Sequence, residues 1–272
     1  MNTVDNTKED RGLTLPQLTI SPNISPRRGR IAVAKYIPGS STPKVAGFTT
    51  VLIHTSLNTL GGSLSPYQLR DTNGYLLENV WQFSKVYDFV DQQRIPRHRF
   101  RPNDIIWEHP AERHVKDEVI LPEYWGWRKK GMKAEYAVRY PNGFNGRHKC
   151  RFALWDTDLG ADPAIESGNL ERLSYLDARR KIYCGLYSKL APLNSEFKKL
   201  LAMLDAGKNL LISEVDGPQI DTVHTVTKLH PYLDIDDENT IRLLLNDERR
   251  PFGHGYVIAA LLFCRGNNTW LQ

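Results

Sequence analysis

Glu78, Gln82 and Lys85 stand four and three residues apart in the run Leu76 to Val90 (LLENVWQFSKVYDFV), so an α-helix there would bring a carboxylate, an amide and an amine onto one stripe. On a helical wheel the three fall within about 60°, while Leu76, Val80, Phe83, Tyr87 and Val90 share an arc of about 80° on the other side. A carboxylate can stabilise a sugar cation or activate water, an amide can position a leaving base, and an amine can attack an anomeric carbon. The same stripe also reads as a solvated face held by weak i,i+3 and i,i+4 contacts. Trp81 and Phe89 border it and favour a cleft, although packing against another segment would place aromatics there too.

Other candidates lie further along. Glu214 and Asp216 follow an apolar run and offer a second carboxylate, while Asp216 in V-D-G-P also reads as a turn residue. Gly253-His254-Gly255 precedes the last apolar run. It is either a tight turn capping a helix or a contact for a substrate phosphate at that helix N-terminus, and it lacks the third glycine of a dinucleotide fingerprint. His98, Glu108, His109, Glu112 and His114 are metal-ligand types, but Pro110 interrupts them and no H-E-x-x-H helix exists, so no metal site is expected. Trp125, Trp127, Arg128, Lys129 and Lys130 form a basic aromatic cluster suited to phosphates and stacked bases; a solvated basic loop over core aromatics has the same composition.

Elements must hold these groups in place. The chain of 272 residues is long enough for a real core, and 40% hydrophobic with 25% charged residues is globular composition. No apolar run approaches the roughly 18 to 20 residues that span a bilayer, and the start (MNTVDNTKEDRG) has no apolar stretch after a basic one, so a cytoplasmic protein without a membrane segment is expected. Cys150, Cys184 and Cys264 are odd in number and widely spaced, which fits reduced thiols. The net charge is +5, yet Arg94 to Arg151 holds fourteen Lys or Arg against seven Asp or Glu, so the basic character is local.

Residues 1–47 are rich in proline and read as a flexible N-terminal arm, with 48–272 as a single catalytic-type domain carrying a basic, partly β insertion at about 96–165. Strands are expected at Phe48 to Thr55, Glu118 to Leu121, Cys150 to Trp155 and Asn209 to Val215. Helices are expected from Leu76 to Gln92, from Asn169 to Leu190 on the leucine spacing, from Asn194 or Ser195 to Gly207, at Thr240 to Asn246 and at Gly255 to Cys264.

The order of these segments resembles a known family. Glu78-Asn-Val-Trp-Gln82-Phe-Ser-Lys85 is similar to the E-H-x-x-Q-x-x-K helix of NADAR-type N-glycosidases, and Leu64-Ser65-Pro66-Tyr67 to their L-S-N-F/Y segment. Tyr183 to Glu214, with Ser188-Lys189-Leu190, Leu200-Leu201, Gly207 and Leu211-Ile212-Ser213-Glu214, resembles the family's later helix and L-x-E arrangement. Gly253-His-Gly255 and Leu261-Leu262-Phe-Cys-Arg265 resemble its closing motif. Asn79 stands where the family has His, Pro66 where it has Asn, and no D-x-x-W-G follows Glu214. The resemblance spans residues 63–92 and 175–265.

That resemblance implies an α+β fold, with a mainly helical core, a small sheet and the partly β insertion. It implies hydrolysis of a ribose C1–nitrogen bond in a ribosylated or ADP-ribosylated base or nucleotide, presented free or in nucleic acid, with no metal or redox cofactor. Glu78, Gln82, Lys85 and Asp216 would be catalytic, and Ser65, Tyr67, Trp81, Glu214, Gly253 and His254 would bind substrate. Two alternatives stay open: a noncatalytic nucleic-acid-binding protein using the basic cluster, and a transferase using the same pocket.

Overall fold

A computed structural model describes residues 28–37, 39–53, 58–88, 90–91, 111–137, 147–157, 162–218 and 231–272. Its centre is a four-stranded sheet in which residues 232–234, 31–35, 209–214 and 48–52 lie side by side in that order. Strands β1 (Ile31–Lys35) and β2 (Phe48–Leu52) both run parallel to β10 (Asn209–Glu214), and β11 (Tyr232–Asp234) lies antiparallel on the β1 edge. The apolar run Leu210, Leu211, Ile212 is buried throughout, as a central parallel strand covered on both faces requires. Side chains alternate across the sheet: Ile31, Val33, Val51, Leu210 and Ile212 join the main core, while Ala32, Ala34 and Leu211 pack with Val45, Phe48 and Tyr232 in a smaller cluster.

Strand β1 corrects the sequence reading, which placed residues 31–35 in an irregular arm. IAVAK is short and alanine-rich, and its partner in the sheet begins at Leu210. Nothing local marks it as a strand.

The run containing Glu78 is not one long helix. Helix α1 spans Leu77–Phe83, and Lys85–Tyr87 forms strand β3. Ser84 ends the helix: its backbone N–H and its hydroxyl both donate to the Val80 carbonyl, and its own carbonyl accepts from Leu154 N at 2.8 Å. The β-branched and aromatic residues that follow then pair with β8 (Cys150–Asp156), Lys85 opposite Ala153. Strand β9 (Leu170–Leu173) completes this antiparallel sheet. The leucine spacing after Asn169 therefore misled: Leu170 and Leu173 belong to a strand, and the helix starts only after Ser174, whose side chain caps Asp177 N.

From there α3 (Tyr175–Ala178), a π-helical segment (Arg179–Cys184) and α4 (Gly185–Leu190) run end to end. Helix α5 (Ser195–Asp205) matches its sequence signature, with Asn194 accepting from Glu196 N and Phe197, Leu200 and Leu204 buried; Gly207 beyond its end has φ 81°. Helix α6 (Glu238–Asn246) is capped by Asp237. Helix α7 (His254–Phe263) is apolar all round and packs against β1 and β10, which makes it the buried axis of the fold.

The described residues between 90 and 156 contribute the pair β4 (Val90–Asp91) and β5 (Ala111–Glu112), the hairpin β6 (Val115–Lys116) and β7 (Val119–Ile120), strand β8, and a helix that its composition did not announce, α2 (Pro122–Met132). Helices α1 and α2 pack closely. The Phe83 and Trp127 rings lie 4.6 Å apart, and a Cβ on Gly131 would fall 2.1 Å from the Phe83 ring. Among the described residues no helix is long and apolar enough to cross a membrane.

Candidate active site

Every residue of α1 is buried, so the polar stripe is not a solvated face. Gln82 Nε2 donates to Glu78 Oε1 at 2.7 Å, and Lys85 Nζ donates to Gln82 Oε1 at 2.9 Å. Lys85 reaches this contact from the first residue of β3, because the step from helix to strand keeps it beside the last turn of α1. Its ammonium lies 4.2 Å from the Trp81 ring centroid and 6.0 Å from that of Tyr175. Trp81 in turn packs against Tyr175 at 5.7 Å and Tyr183 at 5.5 Å. Glu78, Trp81, Gln82 and Lys85 each keep 5 to 8% exposure, while Leu77, Asn79, Val80 and Phe83 have none.

Tyr175 and Tyr183 come from the helix that contains the π segment. Such a segment shifts the following side chains from the regular 3.6-residue phase and is frequent at functional sites. Burial pushes the Tyr183 and Tyr187 phenols well above their ordinary pKa, and the carboxylates of Glu78 and Glu214 push both further the same way. The phenols thus stay protonated and feel both carboxylates at once. Tyr187 uses its hydroxyl to donate to the Leu64 carbonyl at 2.9 Å.

Glu214, the last residue of β10, is fully buried. Asp216 N donates to its Oε1 at 2.8 Å, and Gly255 N in the first turn of α7 donates to its Oε2. His254 Nδ1 is 3.9 Å from the same oxygen. The glycines are required by contact rather than by backbone angle: a Cβ on Gly253 would lie 2.6 Å from the Glu214 carboxylate, and one on Gly255 2.8 Å from its Cβ. The suggested phosphate contact at the start of α7 is corrected here, since the chain's own carboxylate holds the Gly255 N–H. Burial, then Glu214 and Asp216, also raise the Tyr256 phenol.

The Leu64-Ser65-Pro66-Tyr67 segment is docked against the start of α1 by backbone bonds, Leu77 N to Leu69 O at 2.9 Å and Glu78 N to Pro66 O at 3.1 Å. Ser65 is fully buried and its hydroxyl accepts from Tyr67 N at 3.3 Å, which makes it a turn residue rather than a substrate contact. The half-buried Tyr67 ring meets His254 edge-on at 6.5 Å. Asn79 donates to the carbonyls of Ala134 and Tyr136 at 3.1 and 2.9 Å.

The structure thus joins Glu78, Gln82, Lys85 and Trp81 directly, and brings Glu214, His254, Gly253 and Tyr67 together around the start of α7. Asp216 contributes its backbone N–H to Glu214. A comparison with protein families, curated proteins and solved structures finds no match to this chain. Tyr175, Tyr183 and Tyr187 are the site residues that the sequence reading passed over. Their spacing of eight and four residues is a visible signal, but the π segment between them hides which face they share.

The basic aromatic cluster needs correction. Trp127 and Arg128 are buried; Arg128 donates to Pro163 O at 2.7 Å, to the Tyr124 hydroxyl at 2.8 Å and to Leu154 O at 3.2 Å. Its guanidinium serves as an internal clamp between α2 and β8 and cannot meet a nucleic acid. Trp125 is half-buried, and only Lys129 and Lys130 of the five face solvent. Of the suspected metal ligands, His98, Glu108 and His109 lie outside the described residues. Buried His114 accepts from Tyr87 N at 3.2 Å and has its pKa lowered to about 3 by burial. Among the described residues no group of three or more His, Cys, Asp or Glu is placed to hold a metal ion.

Proposed function

We propose that the protein is an N-glycoside hydrolase that cleaves a ribose C1–nitrogen bond in a ribosylated or ADP-ribosylated base or nucleotide. The observation that supports it most is the connected, buried set Glu78–Gln82–Lys85, two hydrogen bonds long, with the Lys85 ammonium against the Trp81 ring. As the C1–N bond breaks, its electron pair leaves with the base and positive charge builds on C1 and the ring oxygen. A carboxylate as buried as Glu78 stabilises that charge far better than one in water.

Two routes then complete the hydrolysis. In one, Glu78 takes a proton from water as the hydroxyl adds to C1. In the other, Lys85 as free amine attacks C1 first, and water displaces it. Either way the base departs with a proton and the sugar gains a hydroxyl. Gln82 fixes the amine and the carboxylate relative to one another, and Trp81 supplies a flat apolar face for the base or sugar.

The covalent route has a specific test. Ring opening of a ribosyl–Lys85 adduct leaves a C=N bond, which borohydride reduces to a stable secondary amine. Incubation with nucleotide and modified-DNA pools, borohydride quenching and peptide mass spectrometry should find a ribosyl mass on Lys85. Normal turnover by Lys85→Ala would rule that route out. Product analysis with labelled NAD separates hydrolysis from transfer.

A further inference from the structure

Arg179 opens the π segment and is almost fully buried. Its Nη1 donates to Leu245 O at 2.9 Å and Asp247 O at 3.1 Å, and its Nη2 donates to Arg250 O at 2.9 Å. Those carbonyls belong to the end of α6 and the connection that leads into Phe252, Gly253 and His254. The same guanidinium lies 5.5 Å from the Tyr175 ring centroid, on the ring that also faces Lys85. One side chain therefore touches both halves of the site: the turn that closes over Glu214, and the aromatic wall beside the amine.

We propose that Arg179 is a positioning residue that sets the two walls of the site against each other. A planar fork can bind three carbonyls while its face rests on an aromatic ring; an ammonium cannot do both. The connection 247–253 has no regular structure, so its path depends on such contacts. A π turn at Arg179 adds one residue to the helical turn and so lets Tyr175 and the later Tyr183 face the same tryptophan. The inference rests on the reading that Lys85 and Glu214 serve one site, and its test uses no substrate, so it fails separately from the assigned reaction.

Two measurements on the full chain decide it. The first is hydrogen exchange of the amides at 252–256 relative to those of β10. The second is the rate of reductive methylation of Lys85 by formaldehyde and cyanoborohydride, with exposed Lys198 as internal reference. In Arg179→Lys, the 252–256 amides should exchange about tenfold faster than in the native protein while β10 is unchanged, because one or more charged hydrogen bonds are lost. Lys85 methylation should rise by a similar factor. Tyr175→Leu keeps the carbonyl bonds, so it should speed Lys85 methylation and leave 252–256 exchange unchanged. A uniform rise in exchange across 252–256 and β10, or an unchanged Lys85 rate in either variant, would reduce Arg179 to a general stabiliser and overturn the proposal.

Discussion

Gln82 places its amide between Glu78 and Lys85, donating to the carboxylate at 2.7 Å and accepting from the ammonium at 2.9 Å. Carboxylate and amine are thus linked through a neutral group.

Gln82→Met keeps the volume but removes both bonds. It should lower stability by about 1 to 3 kcal/mol, the usual cost when buried polar groups lose a partner, read from the urea midpoint. Turnover should fall by about 10²-fold as the two reactive groups lose their registry. A variant of native stability and native rate would show that the amide orients nothing.

Gly255→Ala is a contrasting case. In an ordinary helix this change stabilises by about 1 kcal/mol. Here the new Cβ meets the Glu214 side chain at 2.8 Å, and Glu214 is fully buried with both oxygens held, so a loss of about 1 to 3 kcal/mol is expected. Thermal unfolding checks the sign; a raised melting temperature would mean that Glu214 is free to move.

His114 makes stability depend on acid. Burial lowers its folded pKa from 6.5 to about 3, so below about pH 6.5 the unfolded chain takes up a proton that the folded one refuses. Stability is complete above pH 6.5 and declines toward pH 3, at about 1.4 kcal/mol per pH unit inside that window. His114→Phe should cost stability at pH 7, where Tyr87 N loses its acceptor, yet flatten the difference between pH 7 and pH 5. Parallel urea-midpoint curves for the two proteins would refute the assignment.

How much of this was written in the sequence depends on how local the information is. Helix α5 was legible because its cap, its apolar spacing and its closing glycine sit within a few residues of one another. The Glu78, Gln82 and Lys85 grouping was legible for the same reason, even though the helix ends at Phe83 and Lys85 sits in a strand. Whether that stripe met water or protein was not. The answer comes from Tyr175 and Tyr183, roughly a hundred residues later, and no helical wheel contains them. Strand β1 was missed because its evidence is its pairing with β10, and Arg128 because a buried arginine and a nucleic-acid-binding one have the same sequence neighbours.

Arg128→Lys tests that last point. The shorter list of donors cannot serve Pro163 O, Leu154 O and the Tyr124 hydroxyl together, so a loss of about 2 to 4 kcal/mol is expected from urea unfolding. A change within 0.5 kcal/mol, about what a surface substitution gives, would return Arg128 to the surface.

In the proposed reaction Glu78 and Lys85 serve hydrolysis of an N-ribosyl bond. Its most direct test is mass spectrometry of nucleotide and ADP-ribosylated nucleic-acid pools incubated with the protein in ¹⁸O-labelled water, run beside Glu78→Gln. Free base and a sugar carrying the label at C1 are expected, formed about 10² to 10⁴ times more slowly by Glu78→Gln. Release of no base from any pool, or equal rates for the native protein and Glu78→Gln, would contradict it.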